Sequence, residues 1–334
     1  MATISIDTAA KILQFNVGAD IPTFIWGAPG IGKSQLVHQT GRLLKRKVID
    51  FRASLRDPVD MRGLPFVDEK TGLTRWLCPN ELPREDRDGE FGILFLDELN
   101  VATQAMQAAC FGLVLERQLA EYKLPKGWIP VAAGNRMQDR AAGQRMPTAL
   151  RNRFAHITIE PDLNAWCAWA KVTGVDPVII AFVKYRPELL HKMPADDAGA
   201  FPTPRSWEQC SKAMQASDDI RLHIASSIVG DSAAAELEGF VRVWKSLPSI
   251  ESILKDPRGT KIPDDKEPSV MYAVATALAR RVKKDSFAAA MTYAKRLPKE
   301  FEIVFMKDAT ARDATLKETS VFTAWAVDNQ GVLS

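Results

Sequence analysis

The sequence predicts an α/β fold: a parallel sheet flanked by helices, with an inserted β-hairpin, followed by all-helical regions. Three observations carry this expectation. From residue 23 to about 160, short apolar runs alternate with helical patterns, and strands that alternate with helices pair in parallel. The apolar run "FIW" (24–26) breaks into a glycine-rich octet and then a helical pattern, a strand–loop–helix unit. After Pro161 the strand-like runs cease and helical patterns rich in Ala, Trp and Leu take over.

The elements follow in order. Residues 1–20 read as a short amphipathic helix and a linker. "TFIWG" (23–27) reads as a buried strand, "SQLVHQTGRLLKR" (34–46) as a helix and "KVIDFRAS" (47–54) as the next strand. "LPFVDEKTGLTRWLCP" (64–79) carries two short runs around a polar turn ending in Gly72, which predicts a β-hairpin inserted before the following strand. "FGILFLDE" (91–98) is a strongly apolar strand with a carboxylate end. "TQAMQAACFGLVLERQL" (103–119) repeats apolar residues at 106, 109, 110, 113 and 114, a helical stripe. "GWIPVAAGN" (127–135) and "HITIE" (156–160) are the last two strands. The chain is thus expected to divide into an α/β core at 1–162, a helical lid at 163–255 and a C-terminal helical extension at 256–334. A polar, proline-bearing linker is expected at 255–268.

Bulk properties set limits. The 334 residues suggest two domains, or one large domain with a lid, and 46% apolar residues supply an ample core. The 44 basic residues against 41 acidic ones give a net charge of +3, too small an excess to imply nucleic acid or an anionic membrane as an obligate partner. The four cysteines and four histidines form neither CxxC nor HExxH, so no zinc site is expected. Scattered single cysteines fit a reducing compartment. With no basic start leading into an apolar run, and no apolar stretch of about 20 residues, a cytoplasmic protein without a membrane span is expected. The basic run Arg280, Arg281, Lys283 and Lys284 reads as a solvated helix face.

The octet Gly27, Ala28, Pro29, Gly30, Ile31, Gly32, Lys33, Ser34 is GxxxxGK(S/T) without deviation, and Gln35 follows it into the helix. Its glycines let the backbone curl so that successive N–H groups face phosphate oxygens. The following helix offers its positive dipole end to the same anion. Lys33 can reach the β and γ phosphates, and the Ser34 hydroxyl can ligate Mg²⁺. Asp97 and Glu98 end an apolar strand at the carboxyl edge of the sheet, where ligands of such folds bind. Asp97 would hold Mg²⁺, largely through water, and Glu98 would orient or deprotonate the attacking water. Loop and carboxylates together indicate a nucleoside triphosphatase.

Three later positions refine this. Asn135, at a strand end, can hold the attacking water or the γ-phosphate. "MPTALRNRF" (146–154) reads as a short helix carrying Arg151 and Arg153, suited to reach a neighbouring subunit's γ-phosphate. "FPTPRSW" (201–207) places Arg205 where it could contact the γ-phosphate from the helical part. Arginine suits these tasks through its permanent charge and planar fork.

In this order, "GAPGIGKS", "LFLDELN", "AAGN" and "ALRNRF" make residues 21–160 resemble the core of AAA+ ATPases. "DELN", the inserted hairpin and "TPRSW" make the chain most similar to the MoxR-like branch and its CbbQ/NorQ-type relatives; the resemblance spans roughly 21–245. It implies ATP with Mg²⁺, assembly into a homo-hexameric ring and mechanical work on a protein partner. That partner is commonly a von Willebrand factor A domain protein; the DxSxS motif of that domain is absent here, so it would be a separate chain. By the same resemblance Lys33 and Ser34 stand in Walker A, Asp97 and Glu98 in Walker B, Asn135 at sensor 1 and Arg205 at sensor 2. The finger is Arg151 or Arg153; Arg153, next to Phe154, is favoured. Two other classes compete: a DNA-directed loader or helicase, disfavoured by the small net charge, and a non-hydrolysing scaffold, which would not need Glu98, Asn135 and Arg153 together.

Overall fold

A computed structural model of the chain describes residues 3–136, 146–194, 199–247, 249–263 and 268–329. Part of the expected linker, residues 264–267, lies outside the described residues. The chain divides into two compact units. The first is Met1–Trp169 with Leu190–Asp196 and Thr203–Ser206; the second is Ala170–Leu189, Asp197–Pro202 and Trp207–Ser334.

The first unit opens with β1 (Thr3–Ile4), α1 (Ile6–Gly18), β2 (Thr23–Trp26), α2 (Lys33–Leu43) and β3 (Lys47–Arg52). Next come α3 (Pro58–Arg62), a hairpin of β4 (Leu64–Asp68) and β5 (Leu73–Leu77), α4 (Glu85–Asp88) and β6 (Phe91–Asp97). The remainder is α5 (Gln104–Leu115), β7 (Gln118–Leu119), β8 (Tyr122–Lys123), β9 (Gly127–Gly134), α6 (Thr148–Arg151), β10 (Ala155–Ile159) and the start of α7 (Leu163–Thr173).

Six strands form one parallel sheet in the order β1-β10-β2-β9-β6-β3. Its central strands are continuous apolar runs because both faces are covered. Successive residues of β2 serve opposite faces: Phe24 packs with Leu94, Leu96, Met106 and Leu113, whereas Ile25 packs with Leu13, Leu36, Ile93 and Phe95. Helices α1 and α2 therefore cover one face and α5 the other, as expected.

Two features escaped the sequence reading. Strand β1 adds an edge by pairing Thr3 with Thr158 and Ile4 with Ile159. The helix expected over 103–119 stops at Leu115, and β7 and β8 form a small hairpin instead. Arg117 holds that departure: its guanidinium donates to the carbonyls of Pro125 (2.6 Å), Lys126 (3.0 Å) and Trp128 (2.8 Å), and its own φ is +54°. The hairpin expected at 64–79 is present, with Leu64 opposite Leu77 and Asp68 opposite Leu73. Leu64, Val67, Leu73 and Leu77 on it are exposed.

Among the described residues of the second unit, the regular elements are all helices. It contains the end of α7, then α8 (Pro177–Tyr185), most of α9 (Pro204–Cys210), α10 (Asp218–Val229), α11 (Asp231–Ser246) and α12 (Ile250–Lys255). It continues with α13 (Pro268–Arg281), α14 (Phe287–Ala294), α15 (Lys299–Arg312) and α16 (Ser320–Asp328). Its core gathers Ile253, Leu278, Phe287, Tyr293, Phe305 and Trp325. The segment after α12 is strapped to α14: Arg296 donates to the carbonyls of Pro257 (2.7 Å) and Thr260 (2.9 Å), and the Tyr293 hydroxyl to that of Lys261 (3.1 Å). Among the described residues no helix is long and apolar enough to cross a membrane.

Candidate functional site

The order of the sheet makes the site. From β2 the chain runs through α2 to the β3 edge; from β9 it runs to β10 on the other side of β2. Chains that leave adjacent parallel strands in opposite directions open a crevice at the carboxyl ends. The glycine-rich loop leaves β2 into that crevice. Gly30 has φ +76°, and a Cβ there would come within 2.8 Å of Thr203 Oγ1, so no larger residue fits without displacing it. Gly32, at φ +96°, is the residue before α2 and supplies no side-chain cap, and no acidic residue stands in the helix's first turn. The first amides of α2 thus keep their donors for a ligand, at the positive end of the helix dipole. Gln35 lies exposed in that first turn.

Four expected site residues converge there. The half-buried Lys33 ammonium donates to the carbonyls of Gly27 (2.8 Å) and Ala28 (2.9 Å) and to Asn135 Oδ1 (2.8 Å). The Ser34 hydroxyl donates to Asp97 Oδ2 at 3.0 Å. Asp97 Oδ1 accepts the amide of Glu98, also at 3.0 Å. Glu98 itself stands at φ +54°, a left-handed conformation that costs a non-glycine residue roughly 1–2 kcal/mol. It is kept there by the Leu99 amide, which donates to the Ala133 carbonyl at 3.1 Å, and by the Val101 amide, which donates to the Glu98 carbonyl at 2.9 Å.

Ser34 and Asp97 offer a hydroxyl and a carboxylate, hard oxygen donors side by side, which suit a Mg²⁺ that keeps most of its waters. The uncapped helix start and the Lys33 ammonium suit a polyphosphate. The residues present therefore fit both groups.

Two supporting residues were not anticipated. Asn100, 1% exposed, clamps Asn135 from both sides: its Nδ2 donates to the Asn135 carbonyl (2.8 Å), and its Oδ1 accepts the Asn135 amide (3.2 Å). Ser54, just past β3, donates its hydroxyl to Glu98 Oε2 at 2.9 Å. The only hint in the sequence was position: each is a small polar residue just beyond a strand at this edge of the sheet.

The three arginines stand differently. Arg205 reaches the loop through its backbone, its amide donating to the Gly30 carbonyl at 3.2 Å. The start of α9 is capped by Thr203 and Ser206, which exchange bonds of 2.7 and 3.0 Å, so Arg205 is not needed as a cap. Arg151 ends α6 and Arg153 follows it. All three side chains are exposed and make no hydrogen bond or ion pair with the described residues.

No family model matches the chain, and no curated protein matches it. Among solved structures it is similar to a RuvB mutant from Thermotoga maritima, at 17% identity over 88% of each chain and a TM-score of 0.42. It is also similar to NtrX from Brucella abortus in complex with ADP, at 11% identity over 100% of this chain and 70% of that one, with a TM-score of 0.43. Similarity at this level assigns neither family nor activity to this chain.

Proposed function

We propose that this chain binds ATP with Mg²⁺ at the carboxyl edge of its sheet and hydrolyses it, as a ring-forming ATPase of the MoxR-like AAA+ type. One observation carries the reading. Lys33 and Ser34, neighbours at an uncapped helix start, bond to Asn135 and Asp97, residues distant in sequence that have no evident reason to meet there except a shared ligand.

The work of each residue follows from its position. Lys33 offers its ammonium to the β and γ phosphates, and the first amides of α2 hold the same anion. Ser34 and Asp97 hold the Mg²⁺, which when bound neutralises charge on the phosphate oxygens. Glu98 orients the attacking water and takes its proton, with its carboxylate positioned by Ser54. Asn135 fixes the water or the γ-phosphate, its own backbone fixed by Asn100. Arg153, exposed and unpaired among the described residues, serves a neighbouring subunit's γ-phosphate, with Arg151 as the second candidate. Arg205, at the sensor 2 position, offers its guanidinium to the γ-phosphate.

A ring of this type, a homo-hexamer, would spend the energy of hydrolysis on a protein partner. A separate von Willebrand factor A domain chain is the first to try. On this reading the β4–β5 hairpin grips that partner through Asp68, Glu69, Lys70 and Trp76, beside its exposed Leu64, Val67, Leu73 and Leu77. The reading is tested by ATP turnover against protein concentration, for wild type, Lys33→Ala and Arg153→Ala. Specific activity is expected to rise with concentration and to vanish in both variants. Flat turnover per chain with a normal Arg153→Ala variant would remove the shared site, and no turnover at any concentration would remove the ATPase.

A further inference from the structure

Trp26, the last residue of β2, and His156, in β10, lie on one face of the sheet, because His156 pairs in register with Phe24 and Phe24 and Trp26 are two apart. The indole N–H of Trp26 donates to His156 Nδ1 at 2.8 Å. An indole nitrogen can only donate, so Nδ1 carries the lone pair and the imidazole proton sits on Nε2. That Nε2–H donates to the carbonyl of Arg151 at 2.7 Å. Both ends of the ring are thus committed, and its tautomer is set by its partners. Phe24 stacks on Trp26 at 4.1 Å between ring centroids, and Phe154 meets Phe24 edge-on at 5.5 Å.

Trp26 is bonded directly to Gly27, the first residue of the glycine loop; Arg151 begins the segment that ends in Arg153. We infer that His156 is a positioning residue: its neutral imidazole ties the strand that feeds the loop to the backbone of the arginine segment, and so sets where Arg151 and Arg153 are presented. This rests on the proposed ATPase. The fold does not depend on the tie, since β10 is held by backbone pairing with β2 from Ala155 to Thr158 and by the buried Phe154 and Ile157. Its expected signature is therefore in turnover rather than in nucleotide affinity.

The test compares full-length wild type with His156→Phe, which keeps ring area and removes both hydrogen bonds, and His156→Gln, which keeps one donor and one acceptor. His156→Phe is expected to bind ATP with unchanged affinity and to lose about tenfold in kcat, the scale of one or two hydrogen bonds, with His156→Gln recovering much of the loss. Wild-type turnover in His156→Phe overturns the inference. So does a fall in nucleotide affinity and melting temperature that matches the fall in turnover, because that is a structural role. A second readout needs no nucleotide: amide hydrogen exchange at 151–154 is expected to quicken about tenfold in His156→Phe. Unchanged exchange there overturns the tie. If wild type itself neither binds nor hydrolyses ATP, the proposed function falls, and the exchange result still decides whether the tie exists.

Discussion

Lys33, Ser34, Asp97 and Asn135 bond to one another at the open carboxyl edge of a sheet in the first unit. In the second unit, Arg221 and Glu238 bond to each other between α10 and α11, 3% and 8% exposed. The Arg221 fork takes both Glu238 oxygens, Nε at 3.0 Å and Nη2 at 2.8 Å, while Nη1 bonds to Asp218. Lys245 adds a bond of 2.6 Å to Asp218, and its ammonium, then the Arg221 guanidinium, hold that carboxyl below the usual carboxylate range. The Arg221–Glu238 pair is buried and its charges are matched within the protein, with Asp218 and Lys245 closing it off at the exposed surface. The sheet-edge cluster is partly exposed, adjoins Glu98 at its strained φ, and uses pairings that a phosphate or a cation can replace. Polar groups that fix a fold complete one another in its interior. Polar groups that serve a ligand are gathered at a rim and hold provisional partners.

The contrast can be broken at three points. The largest effect is expected at Glu98. If Glu98 is the general base proposed above, Glu98→Gln should cut turnover about 10²–10⁴-fold while nucleotide affinity and melting temperature stay near wild type. A variant that turns over normally would move the chemistry elsewhere; one that melts early would make Glu98 a fold residue.

Next is the helical cluster. Arg221→Leu strips the buried Glu238 carboxylate of its two-pronged partner and leaves it only the longer bond from Arg242 Nε at 3.4 Å, at a cost toward the lower end of about 3–5 kcal/mol, read as a lower denaturation midpoint. Turnover at a temperature where the variant stays folded should be unchanged. Lost turnover with unchanged stability would mean that this buried pair, too, belongs to function.

The smallest effect sharpens the comparison at its boundary. Asn100 is buried like Arg221 and Glu238 yet acts on the sheet edge. Asn100→Ala removes two hydrogen bonds and leaves the Asn135 backbone unsatisfied, for about 1–3 kcal/mol of stability. Turnover should fall along with stability, with ATP affinity retained. A loss confined to stability would return Asn100 to the structural class.

Much of this arrangement was legible in the residues. The sheet strands of four or more residues announce themselves as apolar runs between turn signals, and the glycine loop and the Asp97–Glu98 pair are contiguous strings whose chemistry is local. Even the β4–β5 hairpin shows, because Gly72 and the polar turn lie between its runs. What was not legible depends on neighbours. Strand β1 is two residues long and exists because β10 offers it an edge. The early end of α5 depends on carbonyls beyond β8 that Arg117 reaches.

The sequence by itself determined which residues stand at strand ends and that a lysine and a serine open the helix after a glycine loop, because period and turn chemistry act within a few residues. Only the tertiary structure decided which of these groups meet. That β9 lies beside β2, and β6 beside β9, puts Asn135 on Lys33, Asp97 on Ser34 and Asn100 against Asn135. Strand order is settled by how whole apolar faces bury one another, and no short stretch of the chain carries that information.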